Sequence, residues 1–141
     1  MRRIYFDSML FIYWIESHPV YGAQVARLYE GFRRRGDEIC TSVLTIGEVL
    51  VIPIREQNLK LKLHAESFFD AGTVTVLPID RDVVERFAAV RAATKIASVD
   101  ALHLSCAGSH RTDIFLTNDK GLLRHNVPGV GAICDLDNKT L

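Results

Sequence analysis

The chain has 141 residues, a length that predicts a single domain over residues 1–141 with a core of its own. Hydrophobic residues make up 48% of it and charged residues 24%, with only nine Gly and four Pro, which excludes a disordered or low-complexity chain. Lys and Arg number 17, as do Asp and Glu, so no overall charge attracts nucleic acid or a membrane, and any polyanion has to be bound by a local patch.

Short apolar runs alternate along the chain with longer amphipathic stretches. The predicted elements are, in chain order, a strand at 4–6, helices at 8–17 and 20–35, a strand at 38–42, helices at 44–52 and 54–71, a strand at 73–77, helices at 80–94 and 98–109, a strand at 113–117, a short helix at 120–125 and a strand at 130–134. Pro53 is expected to separate the third helix from the fourth. Strands alternating with helices predict an α/β fold, with a central, mostly parallel five-stranded sheet flanked by helices on both faces.

The cysteines and the first residues indicate the cellular compartment of the protein. Cys40, Cys106 and Cys134 show no CxxC spacing and lie among apolar neighbours, as reduced core cysteines do. A basic start followed by the apolar run 9–15 is similar to the beginning of a signal peptide, but Asp7 interrupts it and no cleavage site follows. Seven apolar residues also fall far below the roughly 20 that span a bilayer. We therefore expect a cytoplasmic protein.

Four acids are predicted to meet at one edge of this sheet. Asp7 follows the first strand directly, and Asp119 lies two residues past the fourth. Glu48 falls about two turns into the helix after the second strand, and Asp100 lies in the first turn of the helix that leads into the fourth. Ligands of open α/β sheets bind beyond the carboxyl ends of the strands, so this edge is the expected site.

Four carboxylates at one edge repel one another, and their pKa values rise unless cations lie among them. Hard oxygen ligands of this kind select Mg²⁺ or Mn²⁺. Such an ion activates water and stabilises a phosphodiester during displacement. The acidic edge therefore points to a nuclease.

Each acid also has a purely structural interpretation. Asp7 is placed to cap the helix that follows it, and Thr45 with Glu48 fits a capping box. Asp100 in a first helical turn interacts well with the helix dipole, and Asp119 belongs to a turn followed by a cap. The two interpretations are compatible, because a capping carboxylate still has an oxygen for a metal.

The acids lie in four short strings of sequence. These are IYFDS at 4–8, TSVLTIGEV at 41–49, VDALHL at 99–104 and FLTND at 115–119. Together they closely resemble the PIN domain, and within it the VapC-like toxin ribonucleases of type II toxin–antitoxin pairs. The resemblance covers nearly the whole chain, in the order and spacing of the family.

The resemblance implies a PIN-like fold and a Mg²⁺- or Mn²⁺-dependent endoribonuclease that is usually a homodimer and is silenced by a partner antitoxin. It assigns the catalytic, metal-binding role to four acids, namely Asp7, Glu48, Asp100 and Asp119, and a supporting role to Ser8, Thr117 and Asn118. Many members carry a further acid three residues beyond the last one, where this chain has Leu122. The number of metal ions therefore stays open.

Other polar residues are weaker candidates. Lys120, Arg124 and His125 follow the last acid and are placed to hold the phosphate backbone of RNA. His103 lies one turn from Asp100, which leaves open a role in supporting the site acids, but a packed or solvated helix residue is the expected state. Without the four site acids, 13 other acids face 17 Lys and Arg, so the neutral total does not exclude RNA.

The helix that contains residues 9–15 is predicted to be apolar on every face. Burial in the core of this chain and contact with a partner explain that pattern equally well. The following helices add large apolar residues, so a groove for an antitoxin helix or a second protomer is expected here.

Three functions remain after this reasoning. The first is a toxin endoribonuclease, and the second is a PIN nuclease of RNA processing without an antitoxin. The third is a PIN-fold binding module without catalysis, which the presence of all four acids disfavours.

Overall fold

A sheet of five strands forms the centre of the molecule, whose computed structural model describes residues 1–141. The elements are β1 Arg3–Phe6, α1 Ser8–Ile15, α2 Gly22–Arg34, β2 Glu38–Ser42, α3 Val43–Arg55, α4 Leu59–Asp70, β3 Thr75–Leu77, α5 Arg81–Ala93, α6 Ser98–Ser109, β4 Thr112–Leu116 and β5 Val130–Cys134. The strand order is β3-β2-β1-β4-β5, and every neighbouring pair is parallel. The predicted α/β fold is confirmed, with a sheet that is parallel throughout.

Alternate residues of the central strands face two separate cores. Ile4 and Phe6 of β1 pack in a core with residues of α1 to α4, while Tyr5 between them packs with residues of α5 and α6. Strand β4 repeats this pattern. Because successive side chains of a strand point to opposite faces, a strand covered on both faces is apolar at every position. Helices therefore flank the sheet on both faces, as predicted.

The boundary between the third and fourth helices is not where the sequence predicted it. Helix α3 continues through Pro53 to Arg55, and α4 begins only at Leu59. The chain turns instead at Gln57, which has a φ of 54°, and at Asn58, whose side chain caps α4. A proline inside a helix removes one backbone hydrogen bond and crowds the preceding turn, and burial of the apolar Pro53 ring offsets this cost.

A second difference follows the fourth strand. The predicted helix at 120–125 is one turn of 3₁₀ helix, Lys120–Leu122. The Oδ1 atom of Asp119 accepts a hydrogen bond from the backbone N–H of Gly121 at 2.9 Å, which ties the turn to the residue before it. Glycine is a poor helix former, and nothing at the sequence level extends this turn.

Helix α1 is covered mainly by its own chain. Leu10, Phe11 and Ile15 are buried in the core, and the Trp14 ring packs against two aromatic rings of α2 and α4 at centroid distances of 4.7 and 4.8 Å. Met9 is 43% exposed. Intramolecular burial thus explains most of the apolar character of this helix. None of the helices has the length and apolar character needed to cross a membrane.

The three cysteines are buried thiols and form no disulfide. Desolvation is the main reason why the pKa of Cys106 rises to about 12, and burial raises the pKa values of Cys40 and Cys134 as well. These thiols stay protonated at neutral pH and are unreactive core residues, as the sequence suggested.

Candidate active site

The four acids predicted from the sequence line one cavity of about 540 Å³. Asp7 follows β1 and Asp119 follows β4, two strands that are neighbours in the sheet. The chain leaves β1 for β2 on one side and returns to β4 on the other, so the strand order reverses here. Glu48 reaches the cavity from α3 and Asp100 from α6. The sheet edge and the cavity are therefore the ones that parallel topology predicts.

Asp7 is almost fully buried and both of its oxygens accept hydrogen bonds. Its Oδ1 atom accepts from the backbone N–H of Ser8 at 2.8 Å, and its Oδ2 atom accepts from the hydroxyl of Thr117 at 2.8 Å. Burial is the largest influence and raises its pKa, although His103 and these two hydrogen bonds act in the opposite direction. Asp7 is also the N-cap of α1, so the capping interpretation is correct for this residue. Each oxygen keeps a second lone pair for a ligand.

Thr117 connects the two acids that follow β1 and β4. Its hydroxyl donates to Asp7 and accepts a hydrogen bond from the backbone N–H of Asp119 at 3.0 Å. The neighbouring Asn118 donates from Nδ2 to the hydroxyl of Tyr13 at 3.1 Å. Ser8, Thr117 and Asn118 all line the cavity, which is where the resemblance to the PIN family placed them.

The charges of the acids act on one another across the cavity. The pKa of Asp100 is raised, first by burial, then by the charges of Asp7 and Asp119, and by Glu48 as well. The approach of like charges makes ionisation costly, and a bound cation removes that cost. Asp100 thus carries the electrostatic signature expected of a cation site.

The acids do not form a closed cage. No three His, Cys, Asp or Glu side chains are grouped closely enough to hold a metal ion by themselves. Mg²⁺ keeps several of its waters and needs only one or two direct carboxylate ligands together with substrate phosphate oxygens. An open cavity lined with carboxylates fits an ion of this kind.

Glu48 is held by a residue that the sequence did not connect with it. Its Oε1 atom lies 2.5 Å from Nε2 of His103, which is 1% exposed. Burial raises the pKa of Glu48, but the hydrogen bond and charge of His103 outweigh it, so the net pKa is lowered. The predicted capping box is wrong, because the Thr45 hydroxyl lies 2.6 Å from that of Thr41 and α3 has no side-chain cap.

His103 is a packed helix residue, as expected, and it is also bonded to a site acid, the supporting role that its position left open. The available signal was its position one turn after Asp100 on the same helix, which brings both residues to one face. A second contact, between Nδ1 of His103 and the hydroxyl of Tyr5 at 2.7 Å, joins residues 98 positions apart and leaves no local trace in the sequence.

Arg55 is the only basic side chain that lines the cavity. It lies seven residues after Glu48, two turns along α3 and on the same face, which is the signal that could have found it. Lys120 and Arg124 do not line the cavity. The Nζ atom of Lys120 instead lies 3.0 Å from Oδ2 of Asp135. Contact between these two basic residues and RNA therefore stays a prediction.

Comparison with known proteins identifies the family. The sequence profile of the PIN domain matches residues 4–127, most of the chain. The chain belongs to the PIN domain family. No curated protein has a significantly similar sequence.

Several solved structures share the fold of this PIN domain. VapBC2 from Rickettsia felis, bound to a fragment of promoter DNA, superposes with a TM-score of 0.73 and 15% identity over 94% of this chain and 98% of the other. A toxin–antitoxin complex from Klebsiella pneumoniae gives 0.66 and 22% over 90% and 94%. The Mycobacterium tuberculosis toxin VapC20, described as cleaving the sarcin-ricin loop, gives 0.64 and 14% over 79% and 86%. At these identities the similarity is one of fold.

Proposed function

We propose that this PIN domain is a Mg²⁺- or Mn²⁺-dependent endoribonuclease and the toxin of a type II toxin–antitoxin pair, acting in the cytoplasm. The observation that carries the proposal is the cavity in which acids from four separate elements converge. The raised pKa of Asp100, caused by burial and by two other acids, supports a cation at this place. The fold shared with solved structures of a toxin and of toxin–antitoxin complexes supports the same function.

In this proposal, the charged groups of the cavity have distinct roles. Asp7, Glu48, Asp100 and Asp119 would hold the ion, one or two of them directly and the others through its waters. The bound ion would polarise a phosphodiester and make a water more acidic. Thr117 keeps Asp7 oriented through its hydroxyl. Arg55 would attract the phosphate backbone, since the acids otherwise make the entrance repulsive to RNA.

A protein partner is proposed from the rim of the cavity. Met9, Val51, Ile52 and Val99 line it, and each is between 38% and 49% exposed. Apolar side chains gathered around a polar cavity are typical of a surface that another protein covers. Two of the similar solved structures are toxin–antitoxin assemblies, which supports an antitoxin as that partner. We propose a homodimer as the state of the toxin itself.

The metal-dependent reaction is tested with purified protein. Mg²⁺ or Mn²⁺ should allow cleavage of RNA and EDTA should abolish it, because a phosphodiester needs charge neutralisation during attack. Asp100→Asn changes one charge and almost no volume, and it should lower the rate by at least about 100-fold. Cleavage that is undiminished in EDTA would remove the metal mechanism. Folded protein that cleaves RNA with neither ion would favour a binding module.

A further inference from the structure

A chain of three hydrogen bonds runs from the backbone of the sheet to a site acid. The backbone N–H of Ser42 donates to the hydroxyl of Tyr5 at 3.1 Å, that hydroxyl lies 2.7 Å from Nδ1 of His103, and Nε2 of His103 lies 2.5 Å from Oε1 of Glu48. Ser42, Tyr5 and His103 are buried, and only the Glu48 side chain reaches solvent, with 29% exposed.

The donor at the end of these hydrogen bonds is Nε2 of His103. The Glu48 carboxylate has no proton to give, so this contact requires Nε2 to carry a proton and to donate it. The Tyr5 hydroxyl accepts from Ser42 and faces Nδ1, and because a hydroxyl both donates and accepts, it pairs with Nδ1 whether or not that nitrogen carries a proton. Tyr5 thereby holds the His103 ring in the orientation that brings Nε2 to the carboxylate.

Packing holds these hydrogen-bonded side chains rigidly in place. The Tyr5 ring stacks on Phe115 of β4, with centroids 5.0 Å apart and planes inclined by 12°, and meets the His103 ring edge-on at 5.9 Å. The four hydrogen-bonded residues lie on β1, β2, α6 and α3. The orientation of Glu48 on α3 therefore depends on the sheet and on α6, which covers the opposite face of the sheet.

Glu48 needs such support more than the aspartates do. Its side chain is long and loses about 1.5–2 kcal/mol of rotamer freedom when fixed. The hydrogen bond from His103 to Oε1 fixes the plane of the carboxylate, so its remaining lone pairs are held in one direction for a ligand. Buried partners that orient a coordinating carboxylate in this way typically change metal affinity by about 10- to 100-fold.

We infer that His103, held in place by Tyr5, is a positioning residue that fixes the Glu48 carboxylate for the divalent ion. The inference rests on the proposed function, because it assumes that Glu48 contributes to a metal site. It assigns no contact between His103 and either RNA or the ion.

The test measures Mn²⁺ affinity by isothermal titration calorimetry, together with the melting temperature and RNA cleavage. Tyr5→Phe removes only the hydroxyl and keeps the stacked ring, and it should weaken Mn²⁺ binding by about threefold or more. His103→Ala should weaken binding by about 10-fold or more. His103→Gln keeps an amide donor for Glu48 and should restore most of the affinity. In cleavage, kcat should fall while the KM for RNA stays close to that of the wild type.

Ser105→Ala is the matched control, since like Tyr5→Phe it removes one buried hydroxyl, and it does so on the helix that carries His103. The Ser105 hydroxyl bonds only the carbonyl of Ala101. It should leave Mn²⁺ affinity unchanged. Wild-type affinity in both Tyr5→Phe and His103→Ala would overturn the inference. If His103→Ala does not fold, wild-type affinity in folded Tyr5→Phe overturns it alone. An equal loss in Ser105→Ala would overturn it too, because the effect would then be one of general packing.

The same experiment separates this inference from the proposed function. A wild-type protein that binds Mn²⁺ in the cavity but does not cleave RNA would overturn the nuclease and leave the positioning role standing. A wild-type protein that binds no Mn²⁺ would overturn both.

Discussion

Asp7 has to satisfy two opposing requirements. As the cap of α1 it accepts hydrogen bonds that stabilise a carboxylate, but burial makes its charge costly and raises its pKa. An acid whose pKa is raised in the folded state ionises more easily when unfolded, so its charge lowers stability at neutral pH. The residue is therefore placed for ligand binding at some expense of stability.

Asp7→Asn should separate these effects. Without metal, the melting temperature should stay level or rise, because the amide oxygen still accepts from Ser8 while the buried charge is gone. The rise in melting temperature on adding Mn²⁺ should be smaller than in the wild type. A ligand that binds only the folded state stabilises it in proportion to its affinity, and the loss of the Asp7 charge should weaken Mn²⁺ binding. Differential scanning calorimetry with and without Mn²⁺ measures both. A sharp fall in melting temperature without metal would mean that capping dominates.

Asp37→Asn is the control, because the Asp37 side chain is only 5% exposed but has the opposite environment. Its side chain accepts from Arg2, with Oδ2 lying 2.9 Å from Nη2, and that hydrogen bond is the main reason why its pKa is lowered. Loss of this charged hydrogen bond should lower the free energy of unfolding by about 1 kcal/mol at neutral pH. This value is discounted because the Arg2 side chain is 37% exposed and solvent screens the pair. The lowered pKa means that this contribution is present above the unfolded pKa near 4 and disappears as the pH falls below it.

At the scale of elements, α3 presents opposite charges on one face. Glu48 and Arg55 lie two turns apart on it and both line the cavity. The helix extends through Pro53, and this extension places Arg55 at its last turn. Had the helix ended at Pro53, as the sequence suggested, the position of Arg55 relative to the acids would not be fixed.

Arg55→Ala should raise the KM for RNA by about fivefold or more and leave kcat nearly unchanged, because it removes an attraction present before and during the reaction. The slope of log affinity against log salt should also fall, by about one phosphate contact. Arg34→Ala removes an exposed arginine of α2 outside the cavity and is the matched control. Steady-state kinetics at two salt concentrations measure both effects. Equal changes in Arg55→Ala and Arg34→Ala would refute the role of Arg55 in binding RNA.

At the scale of the whole molecule, the proposed nuclease site lies beside an apolar rim that we expect a partner protein to cover. Expressed alone in its own host, the wild type should arrest growth, and Asp100→Asn should abolish the arrest while leaving the fold intact. Co-expression of the antitoxin, sought first in a small neighbouring gene, should restore growth. Met9→Ser should weaken that rescue, because Met9 is exposed at the rim, whereas Trp14 packs inside its own chain. Harmless expression of an active enzyme would favour RNA processing instead.

The sequence by itself determined the fold class, the order of strands and helices, and the edge of the sheet at which Asp7, Glu48, Asp100 and Asp119 meet. Hydrophobic periodicity within short segments predicts the helices and strands. The rule that ligands bind beyond the carboxyl ends of parallel strands then places the acids at one edge of the sheet.

Only the tertiary structure decided that His103 bonds Glu48, that Arg55 lines the cavity rather than Lys120, and that α1 is buried within its own chain. Each depends on how separate helices pack, and the partners in the His103 contacts are 55 and 98 residues apart. Packing of distant side chains sets such contacts, and neither residue of a pair carries a local mark of the other.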